Sequence, residues 1–264
     1  MWIVVDDGSE DETREIVAGW QKENLVPIRY LRQENSGKMA AHNAGVRICD
    51  TELFLCVDSD DCLVEGSLAK ALAVWESCRD RTHICGMAGY KQMVNWSGSL
   101  IPHKRFGSAG EVSLPDLLYG YRGETALFFR TDILREYPFP IYAGEKYIPE
   151  DYIYNRIGDR YGIMVLEEDI IYCRYEQDGY TRNWHTHLVR NPKGSALCFH
   201  DRIWRHRRLT PRHIADTVRY LALERVRGIR ACTAVRTTPY PLLSRMLLPV
   251  AAGWLFMIKR CCRK

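Results

Sequence analysis

At 264 residues with 46% hydrophobic side chains, the chain is long enough for one sizeable α/β core plus an extension, an ordinary globular composition. Its formal charge of +4 is uneven: residues 182–230 hold twelve Lys/Arg against three Asp/Glu and five of the eight His, so the basic C-terminal third suits an anionic partner. Ten Cys without C-x-x-C pairs or finger spacing exclude a disulfide framework and a zinc module and read as reduced thiols of a cytosolic protein; the start carries no signal-peptide pattern.

The chain begins with a strand at Ile3-Val4-Val5 that runs into Asp6-Asp7-Gly8-Ser9. Glu10 to Asn24 then carries Ile16, Val17 and Trp20 at helical spacing, and Ser9 with Glu12 three residues on predicts a capping box. Pro27 to Leu31 reads as the next strand. Asn35-Ser36-Gly37-Lys38 opens a helix whose small residues at 40, 41, 44 and 45 permit close backbone approach. Gly37-Lys38 at a helix start suits phosphate, although an ordinary capped helix explains it equally.

The most informative stretch is Leu53-Phe54-Leu55-Cys56-Val57 followed by Asp58-Ser59-Asp60-Asp61. Five apolar residues in a row predict a strand buried on both faces, and the carboxylates at its C-terminal end must stay at the sheet edge, where open α/β sheets bind ligands. Carboxylates packed this closely repel one another unless a cation or a hydrogen-bonded ligand holds them, which suggests a hard divalent metal carrying phosphate oxygens. The plain alternative is an acidic turn capping the next helix, Glu65 to Cys78, where Leu68, Leu72 and Trp75 predict the face that packs on the sheet.

Repeated strand and helix predict a doubly wound sheet with Asp6, Asp7, Asp58 and Asp60 along one edge. Further strands are expected at Ile84–Tyr90, Thr125–Arg130 and Met164–Tyr175, with an irregular excursion over Lys91–Gly110, a helical turn at Ile133-Leu134 and a polar turn over Gln177–Asn183. Pro149 leads into a helix from Glu150 to about Arg160, where charge capping by the dipole is the bland account of Glu150-Asp151. From Trp184 onward only basic helices are expected. Met246 to Ile258 gives thirteen mostly apolar residues interrupted by Pro249, too few for a membrane span, and reads either as an interfacial helix with basic flanks or as a core helix of the tail. Cys261-Cys262 beside it is a site for acylation in some cells.

Taken in order, Val4 to Ser9 with Asp11 and Thr13, Asn35 to Lys38 with Ala41, Asn43 and Gly45, Val57 to Asp61, and Glu150-Asp151 resemble the motifs of glycosyltransferase family 2 proteins of the GT-A fold. The resemblance covers residues 1 to about 183. It implies an α/β, Rossmann-like nucleotide-sugar-binding fold with a mostly parallel mixed sheet and helices on both faces, a catalytic domain over 1–183, and a basic helical extension over 184–264. It also implies a metal-dependent inverting transfer from a nucleoside-diphosphate sugar, usually UDP-linked, to a glycan or lipid-linked acceptor in cell-surface polysaccharide synthesis, at the cytoplasmic face of the cell membrane. Asp6 or Asp7 is implied to bind the base, Gly37, Lys38 and Asn43 to line the donor side, Asp58 to meet the ribose, Ser59 to belong to the donor-binding set, Asp60 or Asp61 to hold Mn²⁺ or Mg²⁺, and Asp151 to act as general base.

Family members carry an earlier strand and helix before the Asp-Asp-Gly-Ser segment, so the resemblance implies either residues upstream of Met1 or a truncated unit with an exposed strand edge. Two other readings follow the same residues. One is a catalytically impaired homologue serving as a membrane-associated assembly partner. The other is a haloacid-dehalogenase-type phosphatase with Asp58 as nucleophile, although Cys62 stands where that pattern wants Thr or Val. The basic tail is expected to meet an anionic membrane surface; no nucleic-acid-binding module accompanies it.

Overall fold

The computed structural model describes residues 1–264 apart from 96, 98, 103, 122, 175–182, 207 and 262–264. The polar turn expected over Gln177–Asn183, Asn183 excepted, and Cys262 of the acylation pair lie outside the described residues. The chain forms two compact units: Met1–Gln33, His42–Pro138 and Ile153–Gln177 in the first, and Glu34–Ala41, Phe139–Tyr152 and Asp178–Lys264 in the second.

The chain opens with β1 (Trp2–Asp6), α1 (Thr13–Glu23), β2 (Ile28–Arg32) and α2 (Lys38–Ile48). β1 and β2 pair in parallel as a two-stranded sheet. The expected capping box is absent. Helix α1 starts at Thr13, whose amide donates to the Asp11 carboxylate at 3.1 Å, while the Ser9 amide donates to Asp6 Oδ1 at 2.6 Å. The Asp side chains reach these amides locally and so displace the start of the helix by a turn.

After α2 come β3 (Leu53–Leu55), β4 (Cys62–Leu63), α3 (Ser67–Cys78), β5 (Ile84–Met93), β6 (Gly110–Ser113), α4 (Leu114–Gly120), β7 (Thr125–Arg130), α5 (Thr131–Glu136), α6 (Asp151–Gly158) and β8 (Gly162–Cys173). They build a mixed six-stranded sheet in the order β3-β7-β5-β8-β4, with β6 also pairing β8. Only β5 and β8 run parallel within it. The expectation of a doubly buried strand before the acidic loop is therefore corrected. β3 is three residues long, half-buried, and paired on one side only, to β7. The strand buried on both faces is β5, whose residues 84–90 are all buried between β7 and β8.

Helix α3 covers this sheet with Ala71, Trp75 and Cys78, each 1% exposed. Leu68 and Leu72, expected on that face, are exposed. Trp75 belongs to both arcs, and its indole settles which is used: Nε1 donates to Glu52 Oε1 at 3.1 Å while Arg130 lies over the ring at 4.7 Å, turning the helix toward the small Ala71 side. Burying Trp75 is worth about 3 kcal/mol or more by comparison with truncation to Ala. Helix α2 packs Gly45 between Val5 of β1 and Phe54 of β3, where an added Cβ would meet each at 3.5 Å.

The second unit contains α7 (Trp184–Arg190), α8 (Pro192–Arg205), α9 (Pro211–Val226), α10 (Ala231–Arg236) and α11 (Pro241–Cys261). Leu188, Phe199, Ile203, Leu221, Leu223, Val235 and Leu255 form its core. The terminal apolar helix is longer than the thirteen residues expected: α11 has 21 residues and continues through Pro249. Pro249 lies on the exposed side of the helix, so the Arg245 carbonyl that its missing N–H cannot serve faces water.

Candidate active site

The acidic loop after β3 is held by a residue far away in sequence. Lys91 Nζ lies 2.8 Å from Asp61 Oδ2 and 3.2 Å from Asp58 Oδ2. Sheet register explains the meeting: Leu63 of β4 and Lys91 of β5 both pair with Ile171, from opposite edges of β8, so the loop leading into β4 arrives beside the Lys91 side chain. The cation that these carboxylates require is thus an ammonium supplied by the chain. Burial works against the charge of Lys91, but Asp58 and Asp61 outweigh it and raise its pKa. Burial pushes the Asp61 carboxyl up in spite of Lys91. Ser59 and Asp60 are exposed at the loop tip.

Asp6 ends β1 with its side chain 1% exposed and both carboxylate oxygens engaged. The Tyr30 hydroxyl donates to Oδ2, the Ser9 amide to Oδ1, and Arg32 Nε stands 3.6 Å away. Asp7 is half-buried and accepts from Gln33 Nε2 at 2.7 Å. Asp6 therefore shapes the turn, and Asp7 presents the more accessible carboxylate of the two. Asn43 is half-buried on α2. Asp6 and Asp58 follow strands of two different sheets rather than one continuous edge.

Gly37, Lys38 and Asp151 belong to the second unit. Gly37 adopts φ +92°, and a Cβ there would stand 2.1 Å from the Lys146 carbonyl oxygen, so this glycine is demanded by close backbone approach. Lys38 Nζ pairs with Glu150 at 2.8 Å. Asp151 opens α6, where the helix dipole favours its negative charge, and Arg202 donates to its Oδ2 from Nε at 2.6 Å and from Nη2 at 2.5 Å. The Cys198 thiol, raised well above its usual pKa by burial, donates to Oδ1 at 3.6 Å. Arg202 also faces Asp216, 3.7 Å from its Nη1. Lys91 and Arg202 are the site residues that sequence patterning misses.

Among the described residues no group of three or more His, Cys, Asp or Glu side chains is arranged to hold a metal ion. The loop tip nevertheless fits a Mn²⁺ or Mg²⁺ of another kind, one that takes one or two carboxylates and completes its oxygen shell with a ligand's phosphates and water. Exposed Asp60 suits that role. Asp61, with its side chain 5% exposed and Oδ2 on Lys91, suits it less and anchors the loop instead.

The family described as "Glycosyl transferase family 2" matches residues 2–136. Poly(ribitol-phosphate) beta-N-acetylglucosaminyltransferase TarS of Staphylococcus aureus (strain MW2) is 27% identical over 150 residues, 56% of this chain and 24% of that protein. An uncharacterized glycosyltransferase, YibD of Escherichia coli (strain K12), is 37% identical over 59 residues, 22% of this chain and 17% of that protein. The match thus spans about a quarter of the length of the first of these curated relatives. Among solved structures, S. aureus TarS 1–349 in complex with UDP superposes with a TM-score of 0.57 at 17% identity, covering 99% of this chain and 81% of that one, which shows a shared α/β fold with a mixed central sheet and C-terminal helices.

Proposed function

The chain belongs to glycosyl transferase family 2 and is a glycosyltransferase, and we propose that it moves a sugar from a UDP-linked donor to a hydroxyl of a glycan or lipid-linked acceptor, with inversion at the anomeric carbon. The observation that carries this reading is the Asp58–Asp61 loop, anchored by Lys91 and left with an exposed carboxylate at Asp60. Similarity to a protein crystallised with UDP supports the choice of nucleotide. Membership of the family removes the phosphatase alternative.

In this proposal Asp7, with Asp6 shaping its turn, meets the base, Asp58 the ribose, and Gly37, Lys38, Asn43 and Ser59 the donor side. Asp60 holds Mn²⁺ or Mg²⁺, which when bound neutralises charge on the diphosphate. Asp151 takes the proton of the acceptor hydroxyl as its oxygen attacks the anomeric carbon from the side opposite the diphosphate, and a single displacement inverts the configuration. The pathway proposed is cell-surface polysaccharide synthesis at the cytoplasmic face of the cell membrane.

Calorimetric titration of UDP into the protein, with and without Mn²⁺ and beside Asp60→Asn, tests the donor site. Metal-dependent binding that the variant loses is the expected result. UDP binding that ignores both the metal and the substitution would remove Asp60 from the proposal, and a product with retained configuration would remove Asp151 as a simple base.

A further inference from the structure

Helix α11 is apolar on two opposite faces, and only one of them is used. Ser244, Ala251, Leu255 and Ile258 are buried at 7% exposure or less, with Ala251 and Leu255 in the core of the helical unit. On the other side Leu242, Met246, Val250, Phe256 and Met257 are 56–82% exposed, with Pro249 and Gly253 completing the row. At about 100° per residue these positions fall diametrically opposite the buried four. They make one stripe from Leu242 to Met257, roughly 23 Å long at a rise of about 1.5 Å per residue.

The charged residues of α11 have a single sign. Arg245, Lys259 and Arg260 are exposed on it, and Arg225, Arg230 and Arg236 are exposed on and beside the ends of α9 and α10, which pack against α11, while Arg227 there pairs with Glu224. From residue 225 to 264 the sequence contains nine Lys/Arg and no Asp or Glu. We propose that this face is a docking surface for an anionic lipid bilayer, with α11 lying in the plane of the interface.

The stripe enters the boundary between headgroups and acyl chains, while the basic side chains stay at headgroup level against lipid phosphates. Two other occupants fit less well. A second copy docked through the same stripe would bring two sets of Arg245, Lys259 and Arg260 together with no carboxylate within residues 225–264 to pair them. A membrane-crossing α11, which its length and mean hydropathy of 1.6 allow, would have to strip Ala251 and Leu255 out of the helical core.

The test is sedimentation of the full chain with phosphatidylcholine vesicles, with and without phosphatidylglycerol. Wild type is expected to pellet with the anionic vesicles, more weakly as salt rises, and to be released by alkaline carbonate. Met246→Ser/Phe256→Ser is expected to lose binding, and Arg245→Gln/Lys259→Gln/Arg260→Gln to weaken it about fivefold for each charge removed. All five positions are exposed, so unchanged melting temperatures certify the fold of the variants. The proposal is overturned if wild type stays in solution with anionic vesicles, if neutral vesicles bind it equally, if carbonate fails to release it, or if it is a dimer that Met246→Ser/Phe256→Ser dissociates. Because no donor or acceptor is present, neither result bears on the transfer reaction.

Discussion

Asp151 and Arg202 are joined at two points, through Nε at 2.6 Å and Nη2 at 2.5 Å to the same carboxylate oxygen. Two donors from one guanidinium fix where Oδ2 sits, and the Cys198 thiol, a weak donor, meets Oδ1 at 3.6 Å. If Asp151 is the base, Asp151→Asn lowers transfer about a hundredfold to ten-thousandfold and leaves UDP affinity unchanged. Arg202→Lys retains the charge but loses the two-point grip, and is expected to lower kcat more than it raises KM. Arg202→Ala takes the guanidinium away from Asp151, while Asp216 keeps Arg219 at 2.8 Å, and unfolding in urea should show a loss of about 3 kcal/mol or more. Normal turnover by Asp151→Asn would end the assignment.

Lys91 is the residue on which the acidic loop depends. Its side chain is 16% exposed and that of Asp61 is 5% exposed, so removing the ammonium leaves a desolvated carboxylate without its counter-charge. Lys91→Met should lose about 3 kcal/mol in urea unfolding. The double variant Lys91→Met/Asp61→Leu should recover most of that loss, because an apolar pair of similar volume has no charge to desolvate. A double variant no more stable than Lys91→Met would mean that Asp61 gains little from the pair.

Local pattern carried much of the architecture. Thr125–Arg130 was legible as a strand to the residue, and the carboxylates at 58–61 stood out because a motif of adjacent residues needs no tertiary knowledge. Lys91 and Arg202 were not legible. They lie 30 residues from Asp61 and 51 from Asp151 respectively, and only strand register or helix packing joins them to their partners. The buried face of α3 was misjudged for a related reason: Leu68 and Leu72 are the more apolar residues, but the geometry of Trp75 decides which arc meets the sheet. The apolar run before Asp58 suggested the most buried strand, yet burial follows position in the sheet, and that place belongs to β5.

Asp6 makes the first unit sensitive to acid. Burial raises its pKa, but hydrogen bonds from the Tyr30 hydroxyl and the Ser9 amide, with the charge of Arg32, outweigh that and hold it below the ordinary 3.8. The unfolded chain therefore takes up the proton first as pH falls. The stabilisation from Asp6 is fully present above 3.8 and is lost as pH drops through the lower value of the folded state. Melting temperature should fall on this acid limb, and Asp6→Asn should flatten that part of the curve. Tyr30→Phe should lose about 2 kcal/mol at neutral pH, since it removes a hydrogen bond to a charged acceptor. An acid limb unaltered in Asp6→Asn would show that other carboxylates dominate it.

Gly37 separates backbone strain from close approach. Its φ of +92° is unfavourable for any residue with a Cβ, and that Cβ would also lie 2.1 Å from the Lys146 carbonyl oxygen and 2.7 Å from its Cα. Lys146 cannot yield easily, because its amide donates to Asn191 Oδ1 at 2.7 Å and its ammonium to Asn35 Oδ1 at 2.6 Å. Gly66 is the natural control, with φ +71° and nothing within 4 Å of an added Cβ. Gly66→Ala should lose about 1 kcal/mol from strain alone. Gly37→Ala should lose distinctly more, about 3 kcal/mol, because the segment through Lys146 must move and give up the two hydrogen bonds that fasten it. Both are read from urea unfolding of otherwise identical chains. Equal losses would mean that the segment moves aside freely and that Gly37 is required for its φ only.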